Sequence, residues 1–203
     1  QLAKESIELR YKLLPYNYNI AFENNQKGLP LMRPLFFEDD NSELLTKAST
    51  YLCGSDFLIT PVLNPEEEKV EVHFPQTNDW FDFYTDEKVD GGQTKFVETR
   101  TNSIPTYVRA GAFIPMAKLV QSTDDYRFND FHLHYYYDAS VKESEREFYN
   151  DDGLTKEAFE EFYYDYQNTS NFQIAMEQVR DSDRFELISI DFTKWLIKKG
   201  YFR

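Results

Sequence analysis

Three adjacent acidic pairs, Asp124 with Asp125, Asp151 with Asp152 and Glu160 with Glu161, are the first residues in this sequence that could do chemistry. Two carboxyl groups held a few ångströms apart, one ionised and one protonated, can divide nucleophilic and proton-donating work between them. Neighbours in sequence diverge on a strand or a helix, so these pairs read as solvated turn and surface groups rather than a dyad. Asp151-Asp152-Gly153 lacks the alternating oxygen ligands of a calcium loop, and a plain turn is the better reading. His132 and His134 share one face of a strand and could begin a metal site, but with only His73 besides, no third ligand is evident. Cys53 has no His or other base near it in sequence and reads as a buried, inert thiol. No residue is assigned to catalysis, to a cofactor or to a metal.

The composition limits the partners. Of 203 residues, 41% are apolar and 17% aromatic, with 15 Tyr, 18 Phe and 2 Trp. Those aromatics are far too many for a disordered chain. Acidic residues number 36 against 22 basic ones, a formal charge of −14. Polyanion binding draws its affinity from Lys and Arg on phosphates, so neither nucleic acid nor an anionic membrane is expected as a partner. The apolar stretches 57–63 and 112–116 are much shorter than the ~20 residues of a spanning helix. One cysteine makes neither an internal disulfide nor a paired-cysteine zinc site. The compartment stays open, with a lean towards secreted or periplasmic. The chain begins without Met or a signal-like leader and enters a helical pattern at once, as a piece of a longer polypeptide would.

The elements that must position these residues are mostly strands. Ile7, Tyr11, Leu14, Tyr18 and Phe22 recur at helical spacing and predict one long helix that Gly28 stops. Pro15 should kink it. Its aromatic face needs a partner that the rest of the chain hardly supplies as helix. A short helix is expected over 42–52, capped by Ser42, with Leu44, Leu45, Ala48 and Leu52 as its stripe. Strands are expected at 31–37, 57–63, 70–74, 80–84, 95–98, 104–108 and 112–115, then at 131–137, 145–149, 159–166, 172–176 and 185–192. Pro34 demotes the first to an edge, and Asp90-Gly91-Gly92 signals a turn between two strands. A polar stretch at 118–125 separates two sets of strands and marks a domain boundary. The fold class is therefore mainly β: two antiparallel sandwich domains, 28–117 and 118–203, behind a helical segment 1–27.

Several segments, in order, resemble the C-terminal part of glycoside hydrolase family 31, the α-glucosidase and α-xylosidase family. Arg10-Tyr11-Lys12-Leu13-Leu14-Pro15-Tyr16 is similar to its Arg-Tyr-x-Leu-Leu-Pro-Tyr segment on the last barrel helix. Gly28-Leu29-Pro30 with Met32-Arg33-Pro34-Leu35 resembles its Gly-x-Pro-x-x-Arg-Pro-Leu, and the run from Gly54 to Leu63 its Gly-x-x-Leu-Leu-Val-x-Pro-Val strand. Phe74-Pro75, Trp80-Phe81-Asp82 and Ile104-Pro105-Thr106-Tyr107-Val108-Arg109-Ala110-Gly111-Ala112-Phe113-Ile114-Pro115 match further signatures. Phe148-Tyr149-Asn150-Asp151-Asp152-Gly153 resembles the Leu-Tyr-Glu-Asp-Asp-Gly turn of the distal domain, with Asn150 where the family has Glu.

The resemblance implies the last helix of a (β/α)₈ barrel followed by proximal and distal β-sandwiches, docked on a barrel that this sequence lacks. It implies a retaining α-glycosidase acting on terminal α-linked sugars, a carbohydrate substrate reached through that parent enzyme, and no cofactor. The family nucleophile lies in a Trp-x-Asp-Met-Asn-Glu segment, which does not occur here. The chain alone is therefore expected to be inactive. A free-standing carbohydrate-binding sandwich is the alternative, which the orphan helix disfavours. Trp80, Tyr107, Tyr135 and Tyr136 could stack on sugar rings, although most aromatics of a sandwich are core. Asn168-Thr169-Ser170 matches a glycosylation pattern too short to mean much alone.

Overall fold

The computed structural model describes residues 1–38, 42–45, 49–126, 131–149 and 159–165. The Asp151-Asp152-Gly153 turn, Ala48, Asn168-Thr169-Ser170, the strands expected at 172–176 and 185–192 and the tail lie outside them. The chain divides into two compact units, Lys27–Ala112 and a second made of Gln1–Gln26 with the residues from Phe113 on.

The Lys27–Ala112 unit is an antiparallel sandwich. Its strands are β1 (Met32–Pro34), β2 (Tyr51–Cys53), β3 (Phe57–Ile59), β4 (Lys69–Phe74), β5 (Trp80–Asp82), β6 (Lys88–Val89), β7 (Gln93–Glu98) and β8 (Thr106–Arg109). Six form one sheet in the order β1-β2-β3-β8-β5-β6, and β4 pairs with β7 in a separate ribbon. Alternation decides which side chains meet between the layers. Val70, Val72 and Phe74 of β4 face Leu52, Leu58, Trp80 and Tyr107 of the larger sheet, with Leu35 and Leu44 completing the core. Phe74 packs edge-to-face on Tyr107 at 4.8 Å between centroids. Proline at position 34 ends β1, which lies at the sheet edge as expected.

One local expectation changes, and the Asp90-Gly91-Gly92 turn stands between two strands as expected. Among the described residues of 42–52 the chain makes a 3₁₀ turn, Ser42–Leu45, and then enters β2. Leu52 sits opposite Leu58 and is fully buried, so pairing across the Gly54-Ser55-Asp56 turn overrides a helical stripe. Gly54 makes that turn at φ +64°. The Asp90-Gly91-Gly92 turn does not close a hairpin, because β6 pairs with β5 and β7 with β4. It carries the chain from one sheet to the other, with Gly92 at φ +72°.

In the second unit the single long helix is two, α1 (Leu2–Lys12) and α2 (Leu14–Lys27), broken at Leu13. Pro15 thus occupies the first turn of a new helix, where its missing N–H costs little. The buried face of α2 is Pro15, Tyr16, Asn19 and Ile20 rather than the expected Tyr11, Leu14, Tyr18 and Phe22 stripe. Strands β9 (Phe113–Ala117) and β10 (Phe131–Tyr135) pair over five residues, and β11 (Glu143–Tyr149) pairs with β12 (Phe159–Asp165) over seven. The helix finds part of its partner within the chain: Phe22 stacks on Tyr149 at 3.8 Å, and Asn19 Oδ1 accepts the Tyr149 N–H at 2.9 Å. Arg146 reaches Glu23 at 3.4 Å and lies over Tyr16. In contrast, α1 buries no residue, and Leu2 and Ile7 are exposed.

The boundary expected at 118–125 falls inside the loop between β9 and β10. The compact units part between Ala112 and Phe113, where the β9–β10 ladder ties residues 113–117 to the strand that follows.

Candidate functional site

The densest meeting of polar side chains in the Lys27–Ala112 unit surrounds Arg109, at the end of β8. Its Nε donates to the Ser55 carbonyl at 2.7 Å, and Nη1 donates to Asn78 Oδ1 at 2.7 Å and to Thr77 Oγ1 at 3.3 Å. Nη2 lies 2.9 Å from Glu38 Oε2, an ion pair without hydrogen-bond alignment. Register explains the rest: Arg109 stands opposite Trp80, and its guanidinium sits 5.0 Å from that ring's centroid. The Arg109 backbone N–H donates to the Asp56 carbonyl, closing the β2–β3 turn onto β8. An arginine stays protonated at any working pH and moves no proton. This cluster therefore locks three loops together rather than doing chemistry.

Two aspartates build the neighbouring turns in the same manner. Asp82 Oδ1 accepts the N–H groups of Tyr84 and Thr85 at 2.8 and 3.0 Å, while Oδ2 pairs with Arg100 at 3.0 Å. Asp79 accepts the Gly91 N–H at 3.1 Å and pairs with Lys88 at 2.8 Å. Glu67 is held below the usual carboxylate range, chiefly by the Asn64 side-chain amide at 2.6 Å, the opposite of what a proton donor needs.

The residues singled out from sequence scatter. Trp80, Tyr107, Tyr135 and Tyr136 are all buried, so none is a sugar platform. Trp80 Nε1 donates to the Pro75 carbonyl, and burial, with Asp82 nearby, pushes the Tyr107 hydroxyl up to about 12. Cys53 is half-buried, and burial raises its thiol too, against a smaller opposing effect of Arg33. His132 and His134 lie on the face of β10 opposite Leu133 and Tyr135, whereas His73 lies on β4 of the other unit. Among the described residues no group of three His, Cys, Asp or Glu is arranged to hold a metal ion. Asp125 belongs to the 3₁₀ turn Thr123–Asp125 with Asp124, and Glu160 and Glu161 lie in β12.

What the sequence reading missed is an outward row on the β4–β7 ribbon. Lys69, Glu71 and His73 stand opposite Glu98, Phe96 and Thr94. Phe96 is 72% exposed, the most of any large apolar side chain among the described residues. The signal was present: alternation that turns Val97 inward must turn Phe96 outward.

Comparison with known proteins fits these geometries. Residues 28–114, which nearly coincide with the Lys27–Ala112 sandwich, match the family model described as the glycosyl hydrolase family 31 C-terminal domain. The chain carries the C-terminal domain of glycoside hydrolase family 31. An α-xylosidase of Saccharolobus solfataricus is 36% identical over 160 residues, 78% of this chain and 21% of that protein. An α-glucosidase of Bacillus thermoamyloliquefaciens is 31% identical over 159 residues, 76% of this chain and 19% of its own. Among solved structures, a family 31 dextranase of Flavobacterium johnsoniae superposes with a TM-score of 0.67 at 32% identity, covering 75% of this chain and 19% of that one. The chain thus spans about a fifth of the length of the curated relatives it matches. Arg109 lies within the matched residues and ends the segment Ile104-Pro105-Thr106-Tyr107-Val108-Arg109, where the structure gives it a locking role.

Proposed function

We propose that this chain is a non-catalytic C-terminal region of a retaining α-glycosidase, of α-glucosidase or α-xylosidase type, that hydrolyses terminal α-linked sugars. The observation that carries the reading is the family 31 C-terminal match over 28–114 in a chain without the family's nucleophile segment. Its role is to brace a catalytic barrel. Residues 1–27 supply the last barrel helix, the sandwich following them is the proximal domain, and the distal domain follows that. Two sets of exposed apolar residues support docking. On the sandwich these are Met32, Phe36, Phe37 and Leu45, and on α1 they are Leu2 and Ile7.

Positioning two carboxyl groups on either side of one bond supplies a large share of the rate in such enzymes, and neither group is assigned here. The purified chain should show only background turnover of nitrophenyl α-glucoside and α-xyloside. A protein joining it to a family 31 barrel should release the α-anomer first, read by NMR. Turnover by the chain alone that disappears on mutating one of its own carboxylates, or a first-formed β-anomer from the joined protein, would overturn the reading.

A further inference from the structure

We propose that Asp90-Gly91 is a latent modification site, an isoaspartate-forming linkage that the fold holds closed through the carboxylate of Asp79. An aspartate followed by glycine is open to one spontaneous reaction. The Gly91 nitrogen bonds to Cγ of the protonated Asp90 carboxyl and loses its proton, the carboxyl hydroxyl leaves with that proton as water, and a five-membered succinimide forms. Water then adds back at either ring carbonyl. Opening at the former backbone carbonyl leaves the chain running through Cγ as isoaspartate, with no oxidant or other reactant consumed. Glycine favours the closure because it has no side chain to block the approach and its backbone turns freely. Asp90 is exposed in the turn between β6 and β7, so solvent reaches its carboxyl.

The surrounding contacts oppose that closure. The peptide group joining Asp90 to Gly91 is held at both ends: the Gly91 N–H donates to Asp79 Oδ1 at 3.1 Å, and the Asp90 carbonyl accepts Gln93 Nε2 at 2.6 Å. The proton that must leave is therefore bonded to an anion, which favours keeping it. Asp79 is itself fixed by Lys88, whose Nζ lies 2.8 Å from Oδ2. The backbone has no room to swing, because a Cβ on Gly91 would meet the Asn78 carbonyl oxygen at 2.1 Å and that of Pro75 at 2.7 Å. Gly92 is tied as well, at φ +72° with its N–H donating to the Phe74 carbonyl at 2.9 Å.

What the restraint protects is the crossing between the two sheets. Isoaspartate adds one carbon to the main chain at residue 90, just where β6 leaves its pairing with β5 and β7 begins its pairing with β4. Gln93, the first residue of β7, stands opposite Phe74, whose side chain is fully buried in the core. Added length at residue 90 is thus passed to the register of the ribbon. Asp79 acts as a positioning residue, through the Gly91 amide.

The test is warm incubation of the full chain at neutral pH, followed by proteolytic mapping in which isoaspartyl peptides are separated by chromatography and identified by fragmentation. A synthetic peptide of residues 89–95 supplies the unrestrained rate, and Asp152-Gly153, the other Asp-Gly of the sequence, is an internal reference in the same digest. Isoaspartate at Asp90 should form at least about tenfold more slowly in the folded chain than in the peptide, the factor that one charge-assisted hydrogen bond supplies. Asp79→Ala should raise the Asp90 rate by about the same factor. Asp79→Asn, which keeps an acceptor oxygen without the charge, should raise it less, as should Gln93→Ala. The rate at Asp152 should not change in any variant. An Asp90 rate in the wild-type chain equal to that of the peptide, or one that folded Asp79→Ala leaves unchanged, would overturn the proposal. So would a rise that Asp152 shares, since general loosening would then explain it. If Asp79→Ala does not fold, unchanged Asp90 rates in Asp79→Asn and Gln93→Ala would do the same.

Discussion

Replacing Arg109 by Met keeps most of the buried stem and removes the cation, which isolates what the guanidinium contributes. The change withdraws the donors that satisfy the Ser55 carbonyl, Asn78 and Thr77, and leaves the Glu38 carboxylate without its counter-ion. Removing one partner of a buried ion pair costs about 3–5 kcal/mol. The two side chains here retain 14% and 22% exposure, so water compensates in part and the lower end, about 3 kcal/mol, is expected. Arg109→Lys restores charge but not the planar fork that reaches three groups at once, and should lose about 2 kcal/mol. Because Nη2 is not aligned on Glu38, a double-mutant cycle with Glu38→Gln should give a coupling of about 1–2 kcal/mol, the part of the loss that comes from the carboxylate left unpaired, with the hydrogen bonds to Ser55, Asn78 and Thr77 supplying the rest. Urea unfolding followed by tryptophan fluorescence reads all three. The midpoint should fall while the slope stays constant. A loss below about 1 kcal/mol for Arg109→Met would refute the locking role, as the hydrogen bonds would then be contributing nothing net.

Three further outcomes follow from single positions. Gly91→Ala places a methyl group 2.1 Å from the Asn78 carbonyl oxygen and 2.7 Å from that of Pro75, both backbone atoms, so a loss of roughly 3 kcal/mol or more is expected in the same assay. Asn19→Ala orphans the buried Tyr149 N–H and should cost about 1–3 kcal/mol, with hydrogen exchange accelerated across α2 but not in the Lys27–Ala112 sandwich. Tyr107 ionises more reluctantly when folded, at about 12 against 10.0. Its contribution is therefore fully present below pH 10 and lost as pH rises towards 12, which Tyr107→Phe should abolish in alkaline unfolding curves.

How far the sequence could be read depended on the range of the interaction that decided each element. The strand β4 was legible because Val70, Val72 and Phe74 alternate with Lys69, Glu71 and His73, and one buried face suffices to fix it. The helix over 42–52 failed because Leu52 is claimed by Leu58 across a tight turn, a pairing with no local trace. The break at Leu13 was half legible: Pro15 announced a disturbance, but whether a helix kinks or restarts is settled by packing. Here Tyr16 and Ile20 are buried two positions away from the stripe the sequence displayed. Trp80, Tyr107, Tyr135 and Tyr136 are buried, as the core reading of sandwich aromatics expects. Trp80 and Tyr107 advertise themselves by size and motif, yet motif aromatics of a sandwich are core, while Phe96 is exposed by alternation alone.

The motifs that reveal the family are themselves informative about why this region keeps so readable a sequence. In Ile104-Pro105-Thr106-Tyr107-Val108-Arg109-Ala110-Gly111-Ala112, Pro105 is buried with its carbonyl accepting the Thr60 N–H. Tyr107 and Val108 point into opposite sides of β8, both buried, and Ala110 donates to the Asp79 carbonyl. Arg109 binds three loops, and Gly111 turns at φ +85°, a conformation other residues rarely adopt. Pro105 and the residues from Tyr107 to Gly111 are thus constrained by the sheet they cross. A core strand joining two turns and an ion pair tolerates fewer residue types than an exposed surface does. The signature marks an architecture.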